Sequence, residues 1–241
     1  MVSSYNQTYD FDSFIVGDSN VDAYKMCLSL LEENKGRFVA VCGPSSSGKT
    51  HLVSAMKSAF QRKFPNKTAL MCSYDEIISE YIEALQCKKQ FDFQKRICEH
   101  DLLIVDNMQF AAGKAATQEE LTCWFCAMLN EGKSVVIVLD RPVSCMEKLL
   151  EAMNEKGFGG CDVIEIKEAD VSLRQAFLGE LSKAYGIVLP DSIRNALIHS
   201  CPMRAAKGFL LKIQMMKMQI GRELTEQEMM ECLSDYKYRE A

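Results

Sequence analysis

Gly43-Pro44-Ser45-Ser46-Ser47-Gly48-Lys49-Thr50 follows a short apolar run, Phe38-Val39-Ala40-Val41-Cys42, and leads into an amphipathic segment, His51 to Phe60. The spacing G-x-x-x-x-G-K-T thus sits between a predicted strand and a predicted helix, the context that separates a phosphate-binding loop from a surface glycine turn. A phosphate chain needs many donors in a small space. The backbone N–H groups of Ser45 to Lys49 can converge on it, Gly48 lets the backbone come close, and a helix starting near Lys49 adds positive potential. Lys49 is expected to bridge the outer phosphates and Thr50 to place its hydroxyl on Mg²⁺.

Leu102-Leu103-Ile104-Val105-Asp106 is apolar throughout and ends in a carboxylate, at the end of a parallel strand where open sheets collect ligands. Asp106 is therefore the expected partner of Thr50 at the metal. Asn107 comes next. Many ATPases of this layout carry a carboxylate there to polarise the attacking water; an amide can orient water but is a very poor proton acceptor. Val135 to Leu139 reads as a further strand with Asp140-Arg141-Pro142 at its end, so Asp140 faces the same crevice. Thr68 to Ser73 reads as the second strand, and Cys161 to Ile166 as a weaker fifth. These runs, separated by helical patterns, predict an α/β fold with a parallel sheet.

Ahead of the first strand, Tyr9 to Asn20 reads as an extended lead-in, followed by a helix with apolar positions Tyr24, Cys27, Leu28 and Leu31 that stops at Gly36. Asp75 to Ile97 predicts two helices, one marked by Ile77, Ile78, Tyr81, Ile82 and Leu85, the other by Phe91, Phe93 and Ile97. Lys88, Lys89, Lys95 and Arg96 lie beside them and suit either a single-stranded nucleic-acid backbone or a plain solvated face. Gln118 to Asn130 predicts another helix. Past residue 168 no strand-like run occurs, only helical segments near Ser172–Tyr185, Asp191–Ser200 and Met203–Ile220, then a capping box at Thr225/Glu228. Met215, Met216 and Met218 are expected to fill core space.

With 48% hydrophobic residues in 241, the chain can bury a sizeable core, as one large domain or two smaller ones. A formal charge of −5 and a pI near 5.4 argue against strong non-specific DNA affinity, so any nucleic-acid contact must be local. Eleven cysteines without metal-type spacing, and no long apolar span or signal peptide, point to the reducing cytoplasm and no membrane. Cys123 and Cys126 are expected as two buried helix residues rather than a redox pair.

The lead-in, the loop with His51-Leu52 after it, Leu102–Phe110, Gly113-Lys114 with Thr117-Gln118-Glu119-Glu120, and Asp140-Arg141-Pro142 together resemble the AAA+ ATPase module of the bacterial replication initiator DnaA, over roughly Tyr5 to Tyr236. The resemblance implies a three-layer αβα core with a five-stranded parallel sheet over 1–168, a helical insertion at about 75–98, and an all-α lid over 169–241. It implies ATP or ADP with Mg, held by Gly43 to Thr50 and His51. Ile15 and Val16 would lie against the adenine, Asp140 would match the first sensor, and Arg204 the lid's sensor arginine. The insertion would match the family's helices that contact single-stranded DNA. Three positions depart from the family: Ser46 replaces a middle glycine, Asn107 the second acidic residue, and Gly157 the arginine that reaches the neighbouring subunit's ATP. Losing a base and a finger predicts slow hydrolysis and weak or absent self-assembly, with Lys156 only a partial stand-in.

Three functions follow: a DnaA-like ATP-binding regulator or initiator of replication, docking on initiator or helicase-loading proteins; a helicase-loader-type ATPase working on single-stranded DNA through Lys88, Lys89, Lys95 and Arg96; or the excised ATPase module of a longer initiator. Retained single-stranded DNA binding separates the second from the first, and the downstream reading frame identifies the third.

Overall fold

The computed structural model describes residues 9–32, 36–158 and 160–237. Strands β1 (Phe38–Cys42), β2 (Ala69–Ser73), β3 (Leu102–Asp106), β4 (Ser134–Leu139) and β5 (Asp162–Glu165) form one sheet in the order β2-β3-β4-β1-β5, every pairing parallel. All residues of β1 and β3 are buried, whereas the edge strand β5 buries only Ile164 fully. That difference explains why the inner strands read as continuous apolar runs and β5 as a weak one.

Successive strand residues point to opposite faces, and the two sets feed two cores. Ala40, Cys42, Leu103, Val105, Ile137 and Leu139 pack with Trp124 and Phe125 on one side; Val39, Val41, Ile104, Val136 and Val138 pack with Cys27, Leu52 and Met56 on the other. Helices α1 (Val21–Glu32) and α2 (Lys49–Lys63) accordingly cover the second face, and α3 (Tyr74–Gln86), α4 (Gln90–Cys98), α5 (Ala115–Asn130) and α6 (Glu147–Glu155) the first. This is the expected αβα arrangement. Helix α6 goes beyond the sequence reading, although buried Leu149 and Met153, four residues apart, carried its signal. Helix α5 opens three residues earlier than expected. On it Cys126 is buried but Cys123 is exposed, so the expectation of two buried residues holds for one; both are free thiols.

The chain divides into two compact units. One comprises Asn20–Glu168 and the lead-in as far as Phe14; the other comprises Ile15–Ser19 and the chain from Ala169. A linear split at residue 168 does not anticipate that Ile15–Ser19 groups with the C-terminal helices. In the second unit α7 (Val171–Tyr185), α8 (Asp191–Ser200), α9 (Met203–Ile220) and α10 (Glu226–Lys237) enclose Ile193, Leu197, Phe209, Leu210, Ile213 and Leu233. Asp170 starts α7 by accepting from Leu173 N at 2.8 Å, and Gly186 ends it in a left-handed turn, φ 60°. Thr225 and Glu228 form the expected reciprocal cap, Thr225 N donating to Glu228 Oε2 at 2.7 Å and Glu228 N to Thr225 Oγ1 at 3.3 Å. The methionines of α9 correct the sequence reading: Met216 packs against the core, but Met215 and Met218 are 62% and 73% exposed. Their side chains fall on the outer face because Phe209 and Ile213 already define the inner one.

Candidate functional site

At the C-terminal end of β1 the chain passes so near β5 that a Cβ on Gly43 would lie 2.3 Å from the Ile166 carbonyl oxygen, a clash that only glycine avoids. The loop then folds on itself, Ser47 N donating to Pro44 O at 3.3 Å. Gly48, φ 95°, opens α2 without any side-chain cap, so the first amides of that helix have no side-chain acceptor from the capping position. The Ser47 hydroxyl is buried with no hydrogen-bond partner among the described residues. Lys49 is only 8% exposed, and its ammonium donates to the carbonyls of Gly43 at 2.8 Å and Pro44 at 2.7 Å. These oxygens carry only partial charge. Uncapped helix amides, an unpartnered hydroxyl and a buried ammonium together fit an anion. Cys42 stands just before the loop; burial pushes its thiol up to about 11, which keeps it protonated and unreactive.

Across β4, the end of β3 presents Asp106, 4% exposed, whose Oδ2 accepts from Thr50 Oγ1 at 2.8 Å and whose Oδ1 accepts from Asn107 N at 2.8 Å. Two oxygens from two elements thus meet beside the loop. Among the described residues no three His, Cys, Asp or Glu gather as a self-sufficient metal site. The pair suits a cation that takes its remaining oxygens from phosphate and water, as Mg²⁺ does.

Asn107 sits in the left-handed region, φ 60° and ψ 34°, and Gln109 bridges outward from it. Gln109 Nε2 lies 3.5 Å from Asn107 Oδ1, and its Oε1 accepts from Asp140 N at 3.4 Å. This link between two strand ends was missed from sequence; the signal was Gln109 on the one-turn helix Met108–Ala111 directly after the strand. Asp140 is exposed beside Arg141 at 3.8 Å. His51 faces the lead-in: its Nε2 is 3.2 Å from Ser13 Oγ and its ring contacts Tyr9 and Phe14.

Ile15 and Val16 belong to the second unit, as does Arg204, which is exposed in the first turn of α9. Gly157 is exposed, φ 83°, with open space around its Cα, and the neighbouring Lys156 places its Nζ 3.9 Å from Cys123 Sγ. In the insertion, Lys88, Lys89 and Lys95 are exposed. Arg96 is held by Glu80 at 2.7 Å and lies over the Phe93 ring at 5.3 Å. The groove between α3 and α4 contains Glu80, Glu83 and Asp92 beside Lys89 and Arg96, so carboxylates outnumber cations there. No described helix is long and apolar enough to cross a membrane.

Comparison with known proteins places the chain in a family. Residues 5–161 match the family model described as the bacterial DnaA ATPase domain. The chromosomal replication initiator protein DnaA of Geobacter metallireducens is 29% identical over 242 residues, covering 97% of this chain and 52% of the relative. The chain therefore spans about half the length of the curated relatives it matches. Domain III of the Thermotoga maritima initiator superposes with a TM-score of 0.86 at 22% identity, covering 96% of this chain and 98% of the other. A DnaA structure bound to AMPPCP and single-stranded DNA gives a TM-score of 0.76 at 25% identity, covering 87% of this chain and 65% of that one.

Proposed function

Because the chain belongs to the bacterial DnaA ATPase-domain family, we propose that it binds ATP or ADP with Mg²⁺, hydrolyses ATP slowly, and acts in the initiation or regulation of bacterial DNA replication. The observation that carries this reading is the convergence of buried Lys49, buried Asp106 and Thr50 on one edge of the sheet, Thr50 and Asp106 already hydrogen-bonded at 2.8 Å. Lys49 holds the outer phosphates by its ammonium, and Thr50 and Asp106 hold the metal. Bound Mg²⁺ supplies positive charge that offsets the phosphate oxygens as the terminal bond breaks. Asn107 orients a water but does not take its proton, and Gly157 offers no charge to a neighbouring site. A trans arginine is worth about 10³–10⁵ in rate in related phosphoryl transfers, so its loss outweighs any help from Lys156.

Single-turnover hydrolysis with excess protein tests the slow-enzyme half: a rate matching that of a relative with both catalytic groups would overturn it. Docking on initiator or helicase-loading proteins is the partner reading that fits a competent binding site joined to an impaired catalytic one. A contact with single-stranded DNA is favoured by the relative bound to it, and in this chain it would rest on Lys88, Lys89 and Lys95, since Arg96 is engaged by Glu80. Binding of a fluorescent oligonucleotide at low salt that disappears in the triple alanine variant supports that contact; no binding at low salt excludes it.

A further inference from the structure

Gln118, near the start of α5, is a polar side chain sealed in the core, 2% exposed. Its amide engages two backbone groups from different segments. Nε2 donates to Ala111 O at 2.9 Å, and Oε1 accepts from Leu149 N at 3.0 Å. Ala111 closes the one-turn helix that follows β3, and Leu149 stands in the first turn of α6, in the segment that follows β4. Both are groups that helix ends leave without a partner inside their own helix, and α6 has no side-chain cap at its start. Gln118 is held in turn by buried Thr122, whose Oγ1 donates to the Gln118 carbonyl at 2.7 Å. The same two segments meet a second time at the crevice, where Gln109 Nε2 lies 3.5 Å from Asn107 Oδ1 and Gln109 Oε1 accepts from Asp140 N at 3.4 Å. These outer contacts are long and the inner pair is short, so the buried amide fixes the geometry more firmly than the outer bridge does. All of these residues lie in the first compact unit.

We propose that Gln118 is a positioning residue for the crevice: its buried amide sets the one-turn helix against α6, and through Gln109 it sets the Asn107 carboxamide and the β4 end at Asp140. This role, which rests on the nucleotide-binding reading above, separates holding the nucleotide from aiming water at it. Lys49 and Thr50 stand on α2 and Asp106 within β3, so phosphate and metal are held by elements that the Gln118 amide does not join. A displaced Asn107 lowers the rate and leaves affinity in place.

The test compares the full chain with Gln118→Met, which keeps side-chain length and helix preference but makes neither hydrogen bond. In hydrogen exchange of the ligand-free protein, the amides of Phe110, Ala112 and Leu149 should exchange at least about tenfold faster, with those of α2 changed by less than about twofold. Mg·ADP affinity should stay within about twofold while single-turnover hydrolysis of Mg·ATP falls at least about tenfold. Gln118→Glu adds a readout that a general loss of packing would not move. Its protonated carboxyl, the form that burial favours, still donates to Ala111 O and accepts from Leu149 N, whereas the carboxylate cannot donate. Hydrolysis relative to the unmodified chain at the same pH should therefore be highest at low pH and fall as the carboxyl ionises. Should Gln118→Met fail to fold, this pH series decides alone. Unchanged exchange at the three amides, equal losses of affinity and rate, or a flat pH ratio would each overturn the proposal. No Mg·ADP binding by the unmodified chain would instead overturn the nucleotide-binding reading, while the exchange result still tests the Gln118 brace.

Discussion

Ser46 adopts φ 64° in the loop, a backbone conformation that glycine takes without strain. A left-handed serine costs roughly 1–2 kcal/mol relative to a right-handed one, and glycine at such a site returns roughly 0.5–1 kcal/mol of that through unfolded-state entropy. The first effect is larger, so Ser46→Gly should raise the melting temperature by up to about 3 °C in thermal denaturation. The left-handed Asn107 constrains repair of the catalytic site in the same way. Asn and Asp tolerate that conformation far better than Glu, so Asn107→Asp, rather than Asn107→Glu, should restore a proton acceptor and raise single-turnover hydrolysis by up to about 10²-fold with nucleotide affinity little changed. The placement of Thr50 beside Asp106, and of Lys49 in the same loop, was legible because loop spacing and strand-end position each fix where those residues fall. The bridge from Asn107 through Gln109 to Asp140 was not, because it joins residues brought close only by the β3–β4 pairing.

Among the elements, the capped start of α10 yields a pH dependence. The Arg222 guanidinium beside Glu228, helped by the Thr225 N–H and hydroxyl, lowers the Glu228 carboxyl from its ordinary 4.5 to about 2. A carboxyl lowered in the folded state stabilises it above the unfolded value, and that contribution fades as pH falls from about 4.5 toward 2. Acid denaturation followed by helical circular dichroism should therefore be slightly flatter in that window for Glu228→Gln than for the unmodified chain, a small effect because the pair is solvent-exposed, with added salt weakening the Arg222 part. Element boundaries were legible where a strand is buried on both sides or a helix carries a cap. They were not for α6, which begins after a one-turn helix, Val143–Met146, instead of a capping residue. Nor did sequence reveal which methionines of α9 face outward: all three were expected in the core, whereas Met216 packs there and Met215 and Met218 are exposed.

For the molecule as a whole, the proposed reading that exposed Gly157 stands where the family has an arginine predicts that sedimentation gives the same species with and without Mg·ATP, and that Gly157→Arg shifts it toward larger assemblies. The parallel sheet and the helical segments of the second unit follow from the alternation of apolar runs with amphipathic segments, whereas the strand order and the grouping of Ile15–Ser19 with the distant C-terminal helices are properties of the folded chain that local pattern does not encode. All of this stands on a magnesium-bound phosphate chain held at one sheet edge. Isothermal calorimetry with Mg·ADP, on the full chain and on Lys49→Ala and Asp106→Asn, tests it most directly. Saturable heat from the full chain, its loss in Lys49→Ala, and binding in Asp106→Asn that no longer responds to Mg²⁺ are the expected results; no heat from the full chain, or undiminished affinity in Lys49→Ala, would contradict the account.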